Sequence, residues 1–134
     1  MQTKTNYLKE IKNPKGNILK IINKKEFFFK GFGEAYLSSI RKGSIKAWKK
    51  HKKSHLNLTI ILGKVKFVIY NEKKESFKNI ILKKNDKKKI YISPGIWFGF
   101  MGLSKDNIIL SIASEISNEK EILRKKIKEI KYDW

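Results

Sequence analysis

Short apolar runs, separated by glycines or polar turn residues roughly every ten positions, fill the chain between residues 33 and 113. Residues 44–48 alternate polar and apolar positions as a half-buried strand does, and residues 56–62 form an apolar run that ends at Gly63. No stretch of about a dozen residues is left for the helical crossover that a parallel sheet needs. The pattern therefore predicts an antiparallel barrel or sandwich of about eight strands.

Turn residues set the order of the predicted strands. Asn13, Pro14 and Gly16 indicate a turn between short strands at residues 7–11 and 17–22. Gly63 stands alone between two apolar runs, which predicts a tight hairpin that joins the preceding strand to the next one. A basic loop is expected at residues 49–55. The other strands are predicted at residues 34–40, 44–48, 56–62, 64–70, 77–82, 90–92, 96–100 and 108–113.

Helical periodicity is confined to the end of the chain. Asn118 is a candidate N-cap, and Glu121 stands at the capping-box position. Leu123, Ile127 and Ile130 then fall on one face of a helix. The pattern predicts a short C-terminal helix after the β-strands.

Two aromatic segments are expected to make packing contacts. Residues 27–29 are consecutive phenylalanines, which are typical of a core or of a subunit contact. The terminal Trp134 is expected to dock against the barrel or against a second subunit.

Length and composition bound the class of protein. The 134 residues fit one domain that spans residues 1–134. No cysteine is present, which excludes disulfides and thiolate zinc sites. The N-terminus lacks the apolar core of a signal peptide, and no apolar run approaches the roughly 20 residues of a membrane span. The sequence thus predicts a cytoplasmic protein without a membrane partner.

The formal net charge of +20 raises nucleic acid, anionic membrane and phosphorylated ligands as partner classes. Of the 32 basic residues, only Arg41 and Arg124 are arginines, although arginine is preferred for bidentate phosphate and base contacts. Lysine, isoleucine and asparagine have A/T-rich codons, so a low-GC genome produces the same bias without a polyanionic partner. Nucleic-acid binding is therefore not predicted.

Residues 46–55 concentrate the candidate chemistry. His51 and His55 are too few for a metal site, because no third histidine or carboxylate stands nearby. They suit proton transfer near neutral pH, or they are solvated loop residues. The lysines of this segment form either a solvated loop or a site that captures a diphosphate and stabilises an oxyanion. These lysines are Lys46, Lys49, Lys50, Lys52 and Lys53.

Four motifs occur in an informative order, at residues 32–38 (FGEAYLS), 43–53 (GSIKAWKKHKK), 63–70 (GKVKFVIY) and 92–100 (ISPGIWFGF). Together they resemble the cupin-fold dTDP-4-dehydrorhamnose 3,5-epimerase family. They look most like its short single-domain relatives, which can share the final Tyr-Asp-Trp. Sugar-nucleotide 3,4-ketoisomerases share the same plan. The resemblance extends over nearly the whole chain, from about Tyr7 onward.

The resemblance implies an all-β double-stranded β-helix, the cupin jelly roll, in a protein that forms a homodimer. It also implies a nucleotide-linked 4-keto-6-deoxy sugar as the substrate. A base removes a proton next to the carbonyl, a cation or hydrogen-bond donor stabilises the enolate, and an acid returns the proton. No metal or redox cofactor is required.

The chain departs from the catalytic members at two positions. Lys49 and Phe98 stand where relatives keep histidines. His51 matches the second histidine of the ketoisomerases and is the better candidate for proton transfer. Lys46 matches the position where the epimerases place an arginine near the substrate phosphates.

Two hypotheses follow. The first is a sugar-nucleotide epimerase or ketoisomerase of surface-polysaccharide synthesis, with His51 and Lys49 as catalytic residues. The second is a catalytically altered cupin that binds nucleotide sugar without isomerising it. The aromatic candidates are either core residues or a flat wall against a base or sugar. The expected substrate-binding residues are Lys46, Trp48, His55, Asn57, Tyr70, Trp97 and Phe98.

Overall fold

A computed structural model describes residues 3–134. Within that range the chain forms twelve strands and two single-turn 3₁₀ helices, at Lys84–Asp86 and Ile127–Glu129. No helix of the described residues is long and apolar enough to cross a membrane. The strands are β1 (Thr3–Tyr7), β2 (Lys9–Ile11), β3 (Ile18–Lys20), β4 (Glu34–Arg41), β5 (Ile45–His51), β6 (Leu56–Leu62), β7 (Lys64–Asn71), β8 (Ser76–Lys83), β9 (Lys88–Ile92), β10 (Trp97–Gly102), β11 (Asp106–Ala113) and β12 (Ile122–Arg124).

Two five-stranded antiparallel sheets make up most of the described chain. The front sheet has the strand order β1-β9-β6-β11-β4, and the back sheet has the order β12-β5-β10-β7-β8. β2 and β3 form a separate hairpin. The chain passes repeatedly from one sheet to the other, as in a double-stranded β-helix. The predicted all-β jelly roll of the cupin type is therefore confirmed.

The core fills the space between the sheets, because alternate residues of each strand point inward. Leu56, Leu58 and Ile60 of β6 belong to the same buried cluster as Phe67 and Phe98 of the back sheet. Full burial of one such side chain stabilises the fold by about 1.5–3 kcal/mol before conformational entropy is subtracted. This packing fixes how the inner faces of the two sheets are placed.

The predicted strands are present with most of their ends shifted by one to three residues, and β1 and β12 were not predicted. The largest shift is at the end of β5. Residues 49–51, expected to begin a basic loop, continue β5 instead. Lys49 pairs with Phe98 of β10, and His51 pairs with Ile122 of β12. Pairing with β10 on one side and β12 on the other therefore extends β5 beyond residue 48, where its alternation of polar and apolar residues ends.

Gly63 does not close a hairpin, contrary to the prediction. β6 lies in the front sheet and β7 in the back sheet, so Gly63 is a corner at which the chain crosses between sheets. Its φ of +83° favours glycine, and a Cβ there would lie 2.3 Å from Asn107 Oδ1. The same oxygen accepts a hydrogen bond from the backbone N–H of Lys64 at 2.8 Å. A side chain that is distant in sequence thus fixes the corner.

The short C-terminal helix is not seen in the described residues, so that prediction is wrong. Asn118 does cap one turn, since its Oδ1 accepts hydrogen bonds from the backbone N–H groups of Lys120 and Glu121 at 2.9 and 3.0 Å. The Glu121 carboxylate bonds to the residue 53–54 loop, and residues 122–124 pair with β5 as β12. These tertiary hydrogen bonds override the local helical periodicity.

The end of the chain docks against the back sheet, which is one of the two alternatives predicted for Trp134. The rings of Trp134 and Trp48 lie 5.3 Å apart, and Tyr132 lies 4.9 Å from Phe77. Trp48 Nε1 also donates a hydrogen bond to the carbonyl of Ile127 at 3.2 Å. The C-terminal segment therefore supports β5, the strand that carries the candidate site residues.

The phenylalanines at residues 27–29 pack only in part. The Phe28 ring lies 4.7 Å from that of Tyr91 on β9, whereas Phe27 is 71% exposed. Packing within the chain thus accounts for Phe28. A subunit contact through Phe27 stays a prediction.

Candidate functional site

A cavity of about 390 Å³ lies between the two sheets. Its volume is in the range of about 300–1,000 Å³ that is common for small-molecule sites. β6 contributes Leu56 and Leu58, and β10 contributes Phe98. Polar groups come from the front sheet, where Tyr36 and Ser111 line the wall. The cavity thus combines an apolar floor with a few polar groups, as a site for a sugar or nucleotide does.

The cavity wall is cationic. Among the described residues that line it there is no aspartate or glutamate, and the cations are Lys46, Lys49, Arg124 and Lys125. Arg124 on β12 stands opposite Lys49 on β5 in the strand register. Like charges so placed repel each other, and a bound anion relieves that repulsion. The wall is therefore suited to an anionic ligand.

His51 lies at the end of β5 and is 2% exposed. Its Nδ1 lies 2.6 Å from Oε2 of Glu121, and its ring stacks beside that of Phe98 at 6.4 Å. The other carboxylate oxygen of Glu121 accepts hydrogen bonds from the backbone N–H groups of Lys53 and Ser54 at 3.0 and 2.8 Å. Glu121 is thus held in place and in turn holds the imidazole ring.

The contact with Glu121 fixes which nitrogen of His51 carries the proton. Burial disfavours the carboxylate, but hydrogen bonds from Lys53, Ser54 and His51 outweigh it and lower the pKa of Glu121. An ionised carboxylate only accepts hydrogen bonds, so Nδ1 of His51 is the donor. In the neutral ring, Nε2 is then an unprotonated acceptor. That Nε2 atom is buried and has no hydrogen-bond partner.

The surroundings of His51 keep the ring neutral. Burial lowers the pKa of His51 below its ordinary 6.5, and the positive charge of Lys49 adds to that effect, while Glu121 opposes it. A neutral imidazole with a free Nε2 is the form that accepts a proton. The pair formed by His51 and Glu121 therefore has the arrangement of an oriented general base.

Lys49 shares the aromatic neighbour of His51. Its Nζ lies 5.7 Å from the centre of the Phe98 ring. Burial lowers the pKa of Lys49, and the nearby charge of Arg124 lowers it further. The amine is therefore easier to deprotonate than an ordinary lysine.

Tyr36 faces the same cavity from the opposite sheet. Burial raises the pKa of Tyr36 above its ordinary 10.0, against a smaller opposing effect of a hydrogen bond with Ser111. The phenol therefore keeps its proton at neutral pH. It can donate a hydrogen bond or a proton to a ligand from the front wall.

The structure brings some of the predicted site residues together and separates others. Lys46, Trp48, Lys49 and Phe98 border the cavity, and His51 stacks beside Phe98. The Trp48 ring, however, packs against the C-terminal Trp134.

His51 itself is not among the residues that line the cavity, and neither are the remaining predicted residues. His55 approaches the hydroxyl of Tyr91 at 2.7 Å, and Asn57 donates to the carbonyl of Phe28 at 3.1 Å. Tyr70 borders a different groove, on the side of β7 and β8. The Trp97 ring is buried in the cluster that contains Trp48.

Sequence reasoning missed Glu121, Tyr36 and Arg124 as site residues. The sequence places Glu121 in a predicted helix cap, whereas its partner in the structure, His51, is 70 residues away. Tyr36 looks like any aromatic residue of an alternating strand. Arg124 did carry a usable signal, because it is one of only two arginines in the chain.

A metal centre has little support in this arrangement. In the part of the chain that the structure describes, no group of three or more histidine, aspartate or glutamate side chains is placed to hold an ion. The lining cations would also repel a metal ion.

The fold is that of known sugar-nucleotide isomerase and epimerase structures. A dTDP sugar isomerase from Desulfovibrio desulfuricans G20 is 21% identical with a TM-score of 0.88, covering 98% of this chain and 90% of that chain. The 3,4-ketoisomerase QdtA from Thermoanaerobacterium thermosaccharolyticum is 23% identical with a TM-score of 0.81, covering 96% and 92%. The epimerase RmlC from Legionella pneumophila Philadelphia 1 is 16% identical with a TM-score of 0.82, covering 98% and 78%.

The sequence itself defines the family. The family model described as "FdtA: WxcM-like, C-terminal" matches residues 1–132, and the chain belongs to this family. Among curated proteins, none is significantly similar in sequence. The predicted resemblance to the epimerases and ketoisomerases is thereby confirmed.

Proposed function

We propose that the protein isomerises a dTDP-4-keto-6-deoxy sugar by moving a proton on a carbon next to the carbonyl. Its product would serve deoxysugar synthesis for surface polysaccharides. The observation that carries the proposal is the buried, unpartnered Nε2 of His51, whose Nδ1 is fixed by Glu121 beside a cavity of ligand size.

In this proposal His51 is the base. Its neutral ring takes the proton from the carbon next to the ketone, and Glu121 stabilises the imidazolium that results. The electron pair of the broken C–H bond moves into an enolate. The role needs no cofactor, because the ketone itself accepts the electron pair.

The charged wall supplies the other roles. Lys46 and Arg124 would contact the diphosphate, and Lys49 would stabilise the developing negative charge on the enolate oxygen. Tyr36 stands on the opposite wall with its proton retained, so it is our candidate for the acid that returns a proton. A base on the back sheet and an acid on the front sheet suit an inversion of configuration at carbon.

Similar structures support the choice of ligand. QdtA has been described in complex with TDP, and a histidine-to-asparagine variant of QdtA in complex with TDP-4-keto-6-deoxyglucose. The Legionella epimerase has been described in complex with dTDP-4-keto-L-rhamnose. All three ligands carry the diphosphate that the cationic wall would contact here, and the two sugar nucleotides also carry the ketone that the proposed reaction needs.

The proposal is tested by solvent exchange. The protein is incubated with dTDP-4-keto-6-deoxyglucose in D₂O, and NMR follows deuterium entering the positions next to the ketone. We expect exchange with the wild-type chain and a loss of roughly 10²–10⁴-fold in His51→Gln, the range typical for removal of a general base.

His55→Gln is the matched comparison, since His55 contacts Tyr91 and has no contact with Glu121 or Phe98 among the described residues. We expect it to keep wild-type exchange. No exchange by the wild-type chain across several 4-keto sugar nucleotides would defeat the proposal. Equal losses in the two histidine variants would remove the special role of His51.

The alternative is a protein that binds nucleotide sugar without isomerising it. It is supported by the family resemblance, which implies histidines in catalytic members at the positions of Lys49 and Phe98. Calorimetric binding of the nucleotide sugar by a chain that gives no deuterium exchange would favour this alternative.

A further inference from the structure

Lys49 occupies a position in which an ammonium ion is poorly supported. It lies in β5 between β12 and β10, opposite Arg124 on one side and Phe98 on the other. Within the described residues, no carboxylate forms a salt bridge with its Nζ, whereas the adjacent Lys50 on the same strand pairs with Glu72 at 2.8 Å. Lys49 thus faces a cation and an aromatic ring, whereas its neighbour Lys50 pairs with an acid.

The cavity places this amine where a ligand would lie. Lys49 and Lys46 both line the cavity, and Lys46 already donates to the carbonyl of Ser39 at 2.9 Å. Lys49 forms no comparable hydrogen bond in the described chain. A desolvated lysine beside another cation is a recognised setting for amine attack on a ketone.

We propose that Lys49 forms an imine with the ketone carbon of the substrate, so that the reaction proceeds through an enamine and not through an enolate. The inference rests on the proposed function, because it requires that a 4-keto sugar occupies this cavity. His51, two residues along the same strand, keeps its role as the base.

The steps balance as follows. The neutral Nζ adds to the ketone carbon. The hydroxyl of the resulting carbinolamine takes up a proton from solvent and leaves as water, which gives a protonated imine. His51 removes a proton from the neighbouring carbon, and those electrons form the enamine while neutralising the imine nitrogen. A proton returned from the opposite wall restores the imine with inverted configuration. Water then releases the epimerised ketone and the free amine.

The covalent route also selects the type of isomerisation. If the enamine of a 3-hydroxy-4-keto sugar were protonated at C4, the lysine nitrogen would remain attached to C4 as a secondary amine. Hydrolysis could not release that product, so transfer of the ketone from C4 to C3 would inactivate the protein. A lysine that forms an imine is therefore compatible with epimerisation and incompatible with 3,4-ketoisomerisation.

Reductive trapping tests the inference directly. The protein is mixed with dTDP-4-keto-6-deoxyglucose and sodium cyanoborohydride, digested, and examined by mass spectrometry. We expect a stable secondary amine on Lys49 in the wild-type chain and in Lys50→Arg, the matched control from the same strand. Lys49→Arg keeps a positive charge but has no nucleophilic amine, so we expect no adduct and a loss of deuterium exchange of roughly 10²-fold or more.

Isotope exchange at the ketone gives a second readout. Imine formation and hydrolysis replace the ketone oxygen with oxygen from water, so the wild-type chain should speed ¹⁸O uptake from H₂¹⁸O above the background rate. Lys49→Arg, shown by circular dichroism to be folded, should not. If wild-type deuterium exchange occurs without adduct or accelerated ¹⁸O uptake, the imine is overturned and the proposed function stands. If the wild-type chain catalyses no deuterium exchange at all, the proposed function itself fails.

Discussion

Glu121 shows how one side chain can set the chemistry of another. Its two oxygens are divided between the loop N–H groups of Lys53 and Ser54 and the Nδ1 of His51. The carboxylate therefore fixes both the position of the ring and its tautomer. Its effect on catalysis would be exerted through His51, which makes Glu121 a positioning residue.

Replacing Glu121 by glutamine tests this role. A glutamine can keep the loop contacts, but its amide N–H can donate to Nδ1 and thereby move the ring proton to Nε2. We expect deuterium exchange to fall by about 10²–10⁴-fold, as seen when the carboxylate behind a catalytic histidine is lost. Glu72→Gln, which alters only the surface pair with Lys50, should keep wild-type exchange.

The pH profile separates positioning from a structural defect. His51 must be neutral to act as a base, and its pKa lies below the ordinary 6.5, so the wild-type rate should fall as pH drops through that lowered value. Glu121 raises the pKa of His51, hence Glu121→Gln should move this acidic limb to still lower pH. An unchanged limb in a folded variant would argue against the contact.

At the scale of single elements, the alternation of side chains predicted most strands. Residues 44–48 alternate polar and apolar positions, residues 56–62 form an apolar run, and both patterns predict strands that the structure contains. The same reasoning failed at Gly63, because a hairpin and a corner between sheets need the same local residue. The difference lies in Asn107, whose position only the fold determines.

The site was predictable to a similar extent. His51, Lys46 and Lys49 are predicted as site residues because their chemistry is rare or crowded in one segment, and the structure places Lys46 and Lys49 at the cavity with His51 beside Phe98. Glu121 was not, because Asn118 offers it a plausible local partner and the true partner is in a distant strand. Helical periodicity at residues 123–130 misled for the same reason, since pairing with β5 supplies hydrogen bonds that a pattern cannot reveal.

Two glycines offer a matched test of the corner. Gly63 and Gly43 have φ values of +83° and +77°, but a Cβ at Gly63 would meet Asn107 and Asp106 at 2.3 and 2.4 Å, whereas one at Gly43 meets nothing within 4 Å. We expect Gly43→Ala to lower the free energy of unfolding by about 1 kcal/mol. Gly63→Ala should lower it by roughly 2–4 kcal/mol, since backbone and a buried amide must also shift. Urea denaturation measures both, and equal losses would contradict the role of Asn107.

At the scale of the whole molecule, the positive charge is divided between the cavity wall and the surface. The net charge is +20, and under the proposed function the cations that line the cavity bind the anionic ligand. Lysines on the surface pair with acids in places, as Lys87 does with Glu10 at 2.9 Å. Such exposed pairs contribute little to stability. The homodimer implied by the family resemblance stays a prediction.

The strand order of the front sheet has a consequence for how the protein folds. Its neighbours β1, β9, β6, β11 and β4 are never consecutive in the chain, whereas β7 and β8 of the back sheet form a local hairpin. Closing long loops before any contact forms is entropically unfavourable, so folding should start at β7–β8 and complete the front sheet late.

Kinetics can locate that starting point. Leu82→Ala in β8 and Ile109→Ala in β11 each remove a buried side chain and should each destabilise the fold by about 2–5 kcal/mol. In stopped-flow denaturant experiments we expect Leu82→Ala mainly to slow folding and Ile109→Ala mainly to speed unfolding. The reverse assignment would place the nucleus in the front sheet. On our expectation, the wall that carries Tyr36 is assembled last. A partly folded chain would then have the strand that carries His51 in place before the cavity is closed.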